Sequence, residues 1–469
     1  MGSGGLPRQP AIMERDPAKA MNPSSTVFAS ESDPQLPPVR EEGGASYPRA
    51  PSNVEATGID EMSLRDLALK FAYSVPQLTT EWLAERIRLP VAITEALCQG
   101  LHRDRLLEIL GHSGPGCYRY AITQRGVERA GRLVDICAYV GPAPVALDAY
   151  TRMLEWQLEQ RPAILPSDIV KALADVVLAE GDEEVIALAV SSGRSLFLHG
   201  PPGNGKTTLG SLIHSTAKGD LWIPHCIEAE NSIIQLYDPE CHKLSTDTSE
   251  PQDLDRRWVR IRPPFVVVGG ELTIEQLDLV YSPAHRFYHA PLHIKANGGT
   301  YLIDDFGRQR LEPRMLINRW IMPLESSEDH LTLRTGQQIR VPFRQMIIVA
   351  TNLDPERVVD PSFLRRMGYR LLLSSPTPER FAKIVEKYLA RVGAKAPQGL
   401  IPDLIARYKS EKRPMQACEA RDLIERARDI CRFREQPFDL SKEVMELAWR
   451  SYFGRKDAEA ARSESRHVG

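Results

Sequence analysis

Apolar residues along this chain follow two spacings. Short, mainly apolar runs occur at 195–199, 222–228, 300–304, 346–351 and 370–374. Runs of that length with no polar alternation predict strands buried on both faces, as in a parallel sheet covered by helices. Elsewhere the apolar positions recur every three or four residues, which places them on one face of a helix. Leu64, Leu67, Ala68 and Phe71 form one such face, Trp82, Leu83 and Ile87 a second, and Ile93, Leu97 and Leu101 a third. Near the other end, Phe381, Ile384, Val385, Tyr388, Leu389 and Val392 form a face that starts after Thr377-Pro-Glu379, a capping Thr followed by Pro in the first turn. Residues 376–455 read as helical throughout, and 456–469 as a frayed polar tail. Residues 1–58 are rich in Pro, Ser and Gly without periodicity, and are expected to be disordered. The expected division is therefore a tail (1–58), a small domain (60–140), a linker (141–165), an α/β core (166–375) and a helical lid (376–455).

In the small domain, Leu106–Leu110 and Tyr118–Ile122 read as strands around a Gly-Pro-Gly turn, and Thr123 caps a closing helix with Val127, Ala130, Val134 and Cys137 on one face. Three helices, a two-stranded wing and a fourth helix predict a winged helix-turn-helix, a fold that binds duplex DNA or docks proteins. Its third helix offers Glu95, Gln99, His102, Arg103 and, just beyond, Arg105, a thin basic set for phosphate contact. A second basic stretch, with Arg256, Arg257, Arg260 and Arg262 around Trp258, could meet nucleic acid or be a solvated strand face. The formal net charge of −3 shows no excess suited to polyanions. Seven cysteines at irregular spacing, without a CxxC pair, suit a reducing cytoplasm, and no run is long and apolar enough to insert in a membrane.

The chemistry is concentrated in two places. Gly200, Pro201, Pro202, Gly203, Asn204, Gly205, Lys206 and Thr207 match G-x-x-x-x-G-K-[ST], between an apolar run and a helical pattern that begins at Thr208. Backbone N–H groups in such a loop turn toward phosphates at a helix N-terminus. Lys206 would reach the β- and γ-phosphates of ATP, and the Thr207 hydroxyl would hold Mg²⁺, which takes few protein ligands. The second place is Asp304-Asp305 at the end of the 300–304 run, where ligands of open parallel sheets bind. Asp304 would sit near the metal and Asp305 would polarise the attacking water.

With these motifs the chain resembles the AAA+ ATPases, over residues 166–455. Their usual acidic pair is Asp-Glu, so Asp305 is one methylene short. The resemblance assigns Asn352, after the 346–351 run, to the position that bonds the γ-phosphate and the attacking water. It assigns Arg366, or else Arg365, to the arginine finger supplied to a neighbouring subunit, and Arg421 to a lid arginine reaching the γ-phosphate. Tyr237 falls where the family often places an aromatic pore loop. Trp258–Thr273, Ala290–Thr300 and Asp304–Gln309 are similar to a bacterial group of chaperone-like predicted ATPases loosely tied to Flp pilus assembly. The resemblance implies an ATP hydrolase with Mg²⁺ as cofactor, working as a homo-oligomeric ring such as a hexamer. A protein client is favoured over DNA, which remains the alternative partner.

Overall fold

In a computed structural model of the chain, the structure describes residues 27–28, 36–42, 45–247, 251–310, 312–359 and 361–454. The expectations for 1–26 and for the polar tail from 455 onward lie outside these residues. The fold is mixed α/β around a five-stranded parallel sheet. Its strands are β1 (Leu196–His199), β2 (Phe265–Val268), β3 (Thr300–Ile303), β4 (Met346–Thr351) and β5 (Tyr369–Leu372), in the spatial order β2-β3-β4-β1-β5.

Side chains alternate across this sheet, so each strand feeds two cores. Leu196, Leu198, Leu302, Ile348 and Leu371 pack against Ile169, Ile186, Leu209 and Ile213 on one face. Phe197, Tyr301, Ile303 and Val349 pack against Ile317, Trp320 and Phe363 on the other. Pairing of Thr351 with His199 and of Ile303 with Val349 aligns the C-terminal ends of β1, β3 and β4 along one crest.

The apolar run at 222–228 is not in this sheet. Leu221–Pro224 pairs antiparallel with Trp258–Ile261. Cys226–Ala229 joins a separate mixed sheet between Ser232–Gln235 and Val145–Ala146. The edge beside β3 is taken by Phe265–Val268, a Val-rich run whose residues pair in register with Thr300–Ile303. Pro224 has no N–H to give a ladder, which helps explain why the earlier run ends at an edge. The long segment between β1 and β3 lies on both sides of β2 in sequence, and together with Tyr150 it builds a separate insertion core that includes Trp258, Ile261 and Tyr288.

Two expected loose segments are ordered. Val39–Glu42 and Ala45–Pro48 pair antiparallel, and Val39 and Tyr47 are buried in the insertion core. Their partners are distant in sequence: Tyr47 donates to Asp253 at 2.8 Å and Ala50 N–H to the Asp253 carbonyl at 2.7 Å. The 141–165 linker contains a strand and the Leu147–Gln160 helix, whose Tyr150, Met153 and Leu154 are buried. Between these segments lie the helices Glu61–Ser74, Thr80–Ile87 and Val91–Arg103, a hairpin of Leu107–Gly114 and Cys117–Ile122, and the helix Gln124–Ile136. Leu78–Thr79 adds a third strand to the hairpin. The helix at 80–87 is capped by Thr79, and Thr80 is buried. The four helices Pro378–Arg391, Leu400–Ser410, Ala417–Phe433 and Lys442–Phe453 close the chain around Phe381, Tyr408, Leu423 and Trp449.

Candidate functional site

At the crest of the sheet, β1 runs into the glycine loop and then into the helix Lys206–His214, which begins after Gly205 in the left-handed region. Gly200 has φ +132, and a Cβ there would lie 2.4 Å from the Leu373 carbonyl oxygen; only glycine fits this close approach. The loop folds back on its lysine: Lys206 Nζ donates to the carbonyls of Gly200 and Pro201, each at 2.9 Å. Burial pushes the Lys206 ammonium below the usual lysine range, while Asp304 and Asp305 pull it upward.

Thr207 stands on the next turn and donates from Oγ1 to Asp304 Oδ2 at 2.6 Å. The other Asp304 oxygen accepts the Asp305 N–H at 2.9 Å, which fixes the carboxylate's orientation. Asp305 itself has φ +47. That conformation is held by the residue after it: Phe306 is buried, its N–H bonds the Ala350 carbonyl at 2.8 Å, and its carbonyl accepts Thr351 Oγ1 at 2.6 Å. Asn352, at the end of β4, donates from Nδ2 to Asp305 Oδ1 at 2.7 Å. An ionised carboxylate only accepts, so the amide must present its NH₂ here.

The helical C-terminal region closes over this loop. Cys418 N–H bonds the Gly203 carbonyl at 2.8 Å. Asn204 bridges the two parts, donating to the Leu373 carbonyl at 3.2 Å and accepting from Ala417 N–H at 3.3 Å. The cleft between them measures about 790 Å³ and is lined by residues 202–209, Asp304, Asp305, Asn352, Arg380, Arg391 and Arg421 among others. That size suits a nucleotide. The hydroxyl of Thr207 and the carboxylate of Asp304 are hard oxygen donors within one hydrogen bond of each other, the donor chemistry Mg²⁺ takes. Among the described residues no cluster of three or more His, Cys, Asp or Glu side chains forms a metal-binding group.

The structure thus brings Lys206, Thr207, Thr208, Asp304, Asp305, Asn352 and Arg421 to one cleft. Gly200 and Pro201 shape its turn and hold Lys206 through their carbonyls, and Asn204 ties the C-terminal helices to the loop. Of the four arginines on the Ala417–Phe433 helix (421, 426, 428 and 432), Arg421 alone lines the cleft, beside Asp422 at 2.9 Å. Arg426 lies over Tyr452, and Arg428 pairs with Glu425 and lies over Phe438. Arg365 and Arg366 are elsewhere, lining a different cavity, and Arg366 pairs with Glu325 at 2.6 Å. Arg380 and Arg391 were missed by the sequence reading. Their spacing puts them on one helix face with Ile384 and Tyr388, but a solvated arginine face looks the same in sequence.

The residues that favoured nucleic acid are mostly engaged. Arg257 is buried, forks onto Asp255, and donates to the carbonyls of Thr57 at 2.9 Å and Pro144 at 3.0 Å. Arg260 pairs with Asp220 at 3.2 Å and Asp247 at 2.5 Å. Trp258 is buried. Glu95 of the third helix faces inward, where it accepts from Thr80, Tyr120 and Gln99 at 2.6, 2.7 and 3.0 Å. Tyr237 packs edge-on against His225 and stacks on His242.

The family described as a domain of unknown function, DUF8689, matches residues 377–451. No curated protein matches the chain. Among solved structures, a point mutant of Thermotoga maritima RuvB is similar at 14% identity and a TM-score of 0.34, over 62% of this chain and 73% of that one. NtrX from Brucella abortus in complex with ATP is similar at 15% identity and a TM-score of 0.36, over 59% of this chain and 56% of that one. The complex of NtrX with ADP is similar at 16% identity and a TM-score of 0.34, over 66% and 62%.

Proposed function

We propose that this chain is an ATP hydrolase of the AAA+ type that works as a homo-oligomeric ring on a protein client. One observation carries the proposal: Lys206, Thr207, Asp304, Asp305 and Asn352, from three adjacent strand ends, converge on a single nucleotide-sized cleft roofed by a helical lid. Loop amides and Lys206 would bind the phosphates. Mg²⁺ held at Thr207 and Asp304 would neutralise charge on the β- and γ-phosphate oxygens. Asp305, oriented by Asn352, would take up a proton from the attacking water as it adds to the γ-phosphorus, while the bond from that phosphorus to the β,γ-bridging oxygen breaks and ADP leaves. Arg421, Arg380 and Arg391 on the lid would meet the nucleotide and carry its state to the helical region.

Arg366, with Arg365 as second choice, lines a different cavity of its own chain and would act on a neighbour's nucleotide. A head-to-tail contact of that kind closes into a ring where the rotation between neighbours closes and extends as a helix where it does not; the reading here takes the ring. A protein client is preferred to duplex DNA because Arg257 and Arg260 are already bound to carboxylates.

The test is Asp305→Asn. Asn accepts a left-handed backbone at least as readily as Asp, so the turn at φ +47 is kept. The variant should bind ATP within about threefold of the parent while turnover falls about a hundredfold or more, the usual weight of a general base. Unchanged turnover would refute the assignment.

A further inference from the structure

A second cleft, of about 610 Å³, opens at the opposite, N-terminal end of the principal sheet. Five arginines line it (Arg161, Arg194, Arg344, Arg365 and Arg366), and no Asp or Glu is among its lining residues. Two of the five are answered from outside the cleft: Arg344 by Glu155 at 2.7 Å and Arg366 by Glu325 at 2.6 Å. Arg161 is different. Its guanidinium is largely buried, no carboxylate among the described residues pairs with it, and its Nη2 has no hydrogen-bond partner. Burial alone brings its pKa down to about 10. No charged neighbour contributes to that shift, so nothing beside the guanidinium offsets its charge.

Gln345 supplies an independent observation. It is only 9% exposed, lines the same cleft, and both its amide nitrogen and its amide oxygen lack partners. Buried polar atoms are almost always bonded, and a buried cation without a counter-charge is costly. The Arg161 guanidinium and the Gln345 amide NH₂ call for one kind of visitor, an anion whose oxygens accept from both, and a hydroxyl on that anion would donate to the amide oxygen.

We propose that this cleft is a binding site for a small oxyanion bearing two or more phosphate or carboxylate groups, with Arg161 and Gln345 as its ligands. The site is separate from the nucleotide cleft and does not depend on ATP hydrolysis.

The experiment is calorimetric titration of the full chain carrying Lys206→Ala, which disables the phosphate loop, with pyrophosphate and with citrate at constant ionic strength. A saturable site for at least one probe is expected, and the tighter of the two identifies phosphate or carboxylate as the preferred group. Arg161→Met should weaken that binding at least about tenfold, the scale of one charge-assisted hydrogen bond. Its unfolding temperature without probe should be no lower than the parent's, because an uncompensated buried charge has been removed. Gln345→Met should also weaken binding, and it decides the matter should Arg161→Met not fold. Absence of saturable binding of both probes, or undiminished binding by the folded variants, would overturn the proposal.

Discussion

Asp305 holds its carboxylate on a left-handed backbone, φ +47, that most side chains avoid. The buried Phe306 and its two backbone bonds to β4 keep it there, and Asn352 then aims the carboxylate from 2.7 Å. Asn352→Ala should therefore leave ATP affinity nearly unchanged and lower turnover by about ten- to a hundredfold, the cost of losing one aligned hydrogen bond at a reacting group. Steady-state rates with a parallel binding titration would check this. At this scale the sequence was most legible where spacing itself encodes chemistry. Lys206, Thr207 and Asp304 could be named because a loop of fixed length must put an ammonium and a hydroxyl beside a strand-end carboxylate. Asn204 could not: its bonds to Leu373 and Ala417 depend on two segments roughly two hundred residues away.

The helix that carries Lys206 also ends on a sensitive group. His214 stacks on Phe265 of β2 at 4.6 Å between ring centroids and bonds Thr300 of β3 at 3.2 Å. Burial, helped by Lys243 and Arg161, lowers its pKa from 6.5 to about 4. Between those values the unfolded chain binds a proton that the folded chain refuses. Stability should thus rise with pH across that window and be lost as pH falls from 6.5 toward 4. His214→Phe, which can keep the stack, should flatten that dependence in urea titrations between pH 4 and 6.5; an unchanged slope would count against it. The strand beside this helix shows why element placement was harder to read than element existence. The run at 222–228 offers Trp222, Ile223 and Ile227 and the run at 265–268 is Phe followed by three Val, and periodicity alone does not say which one pairs with β3. Helix Pro378–Arg391 was clearer, since Thr377 accepts from Arg380 N–H at the start as its Thr-Pro sequence indicates.

Across the whole molecule, segments that look like connectors hold the parts together. Val145–Ala146 pairs with Ile227–Glu228, and Arg257 joins Asp255 to the carbonyls of Thr57 and Pro144. Arg257→Ala would leave Asp255 buried without its cation, a change that costs about 3–5 kcal/mol in comparable sites. Chemical denaturation should show that loss, with the N-terminal region becoming protease-sensitive first; a stability within about 0.5 kcal/mol of the parent would contradict it. Polar composition hid this architecture: Val39 and Tyr47 gain their order only from residues such as Asp253, far along the chain. The central claim remains that a triphosphate and its metal are held between Lys206 and the Asp304-Asp305 pair. Calorimetric titration of ATP with Mg²⁺ into the full chain should give a single saturable site, weakened at least about a hundredfold by Lys206→Ala, or about 2.7 kcal/mol. Equal affinity in the two proteins, or no heat of binding to the folded parent, would contradict the account.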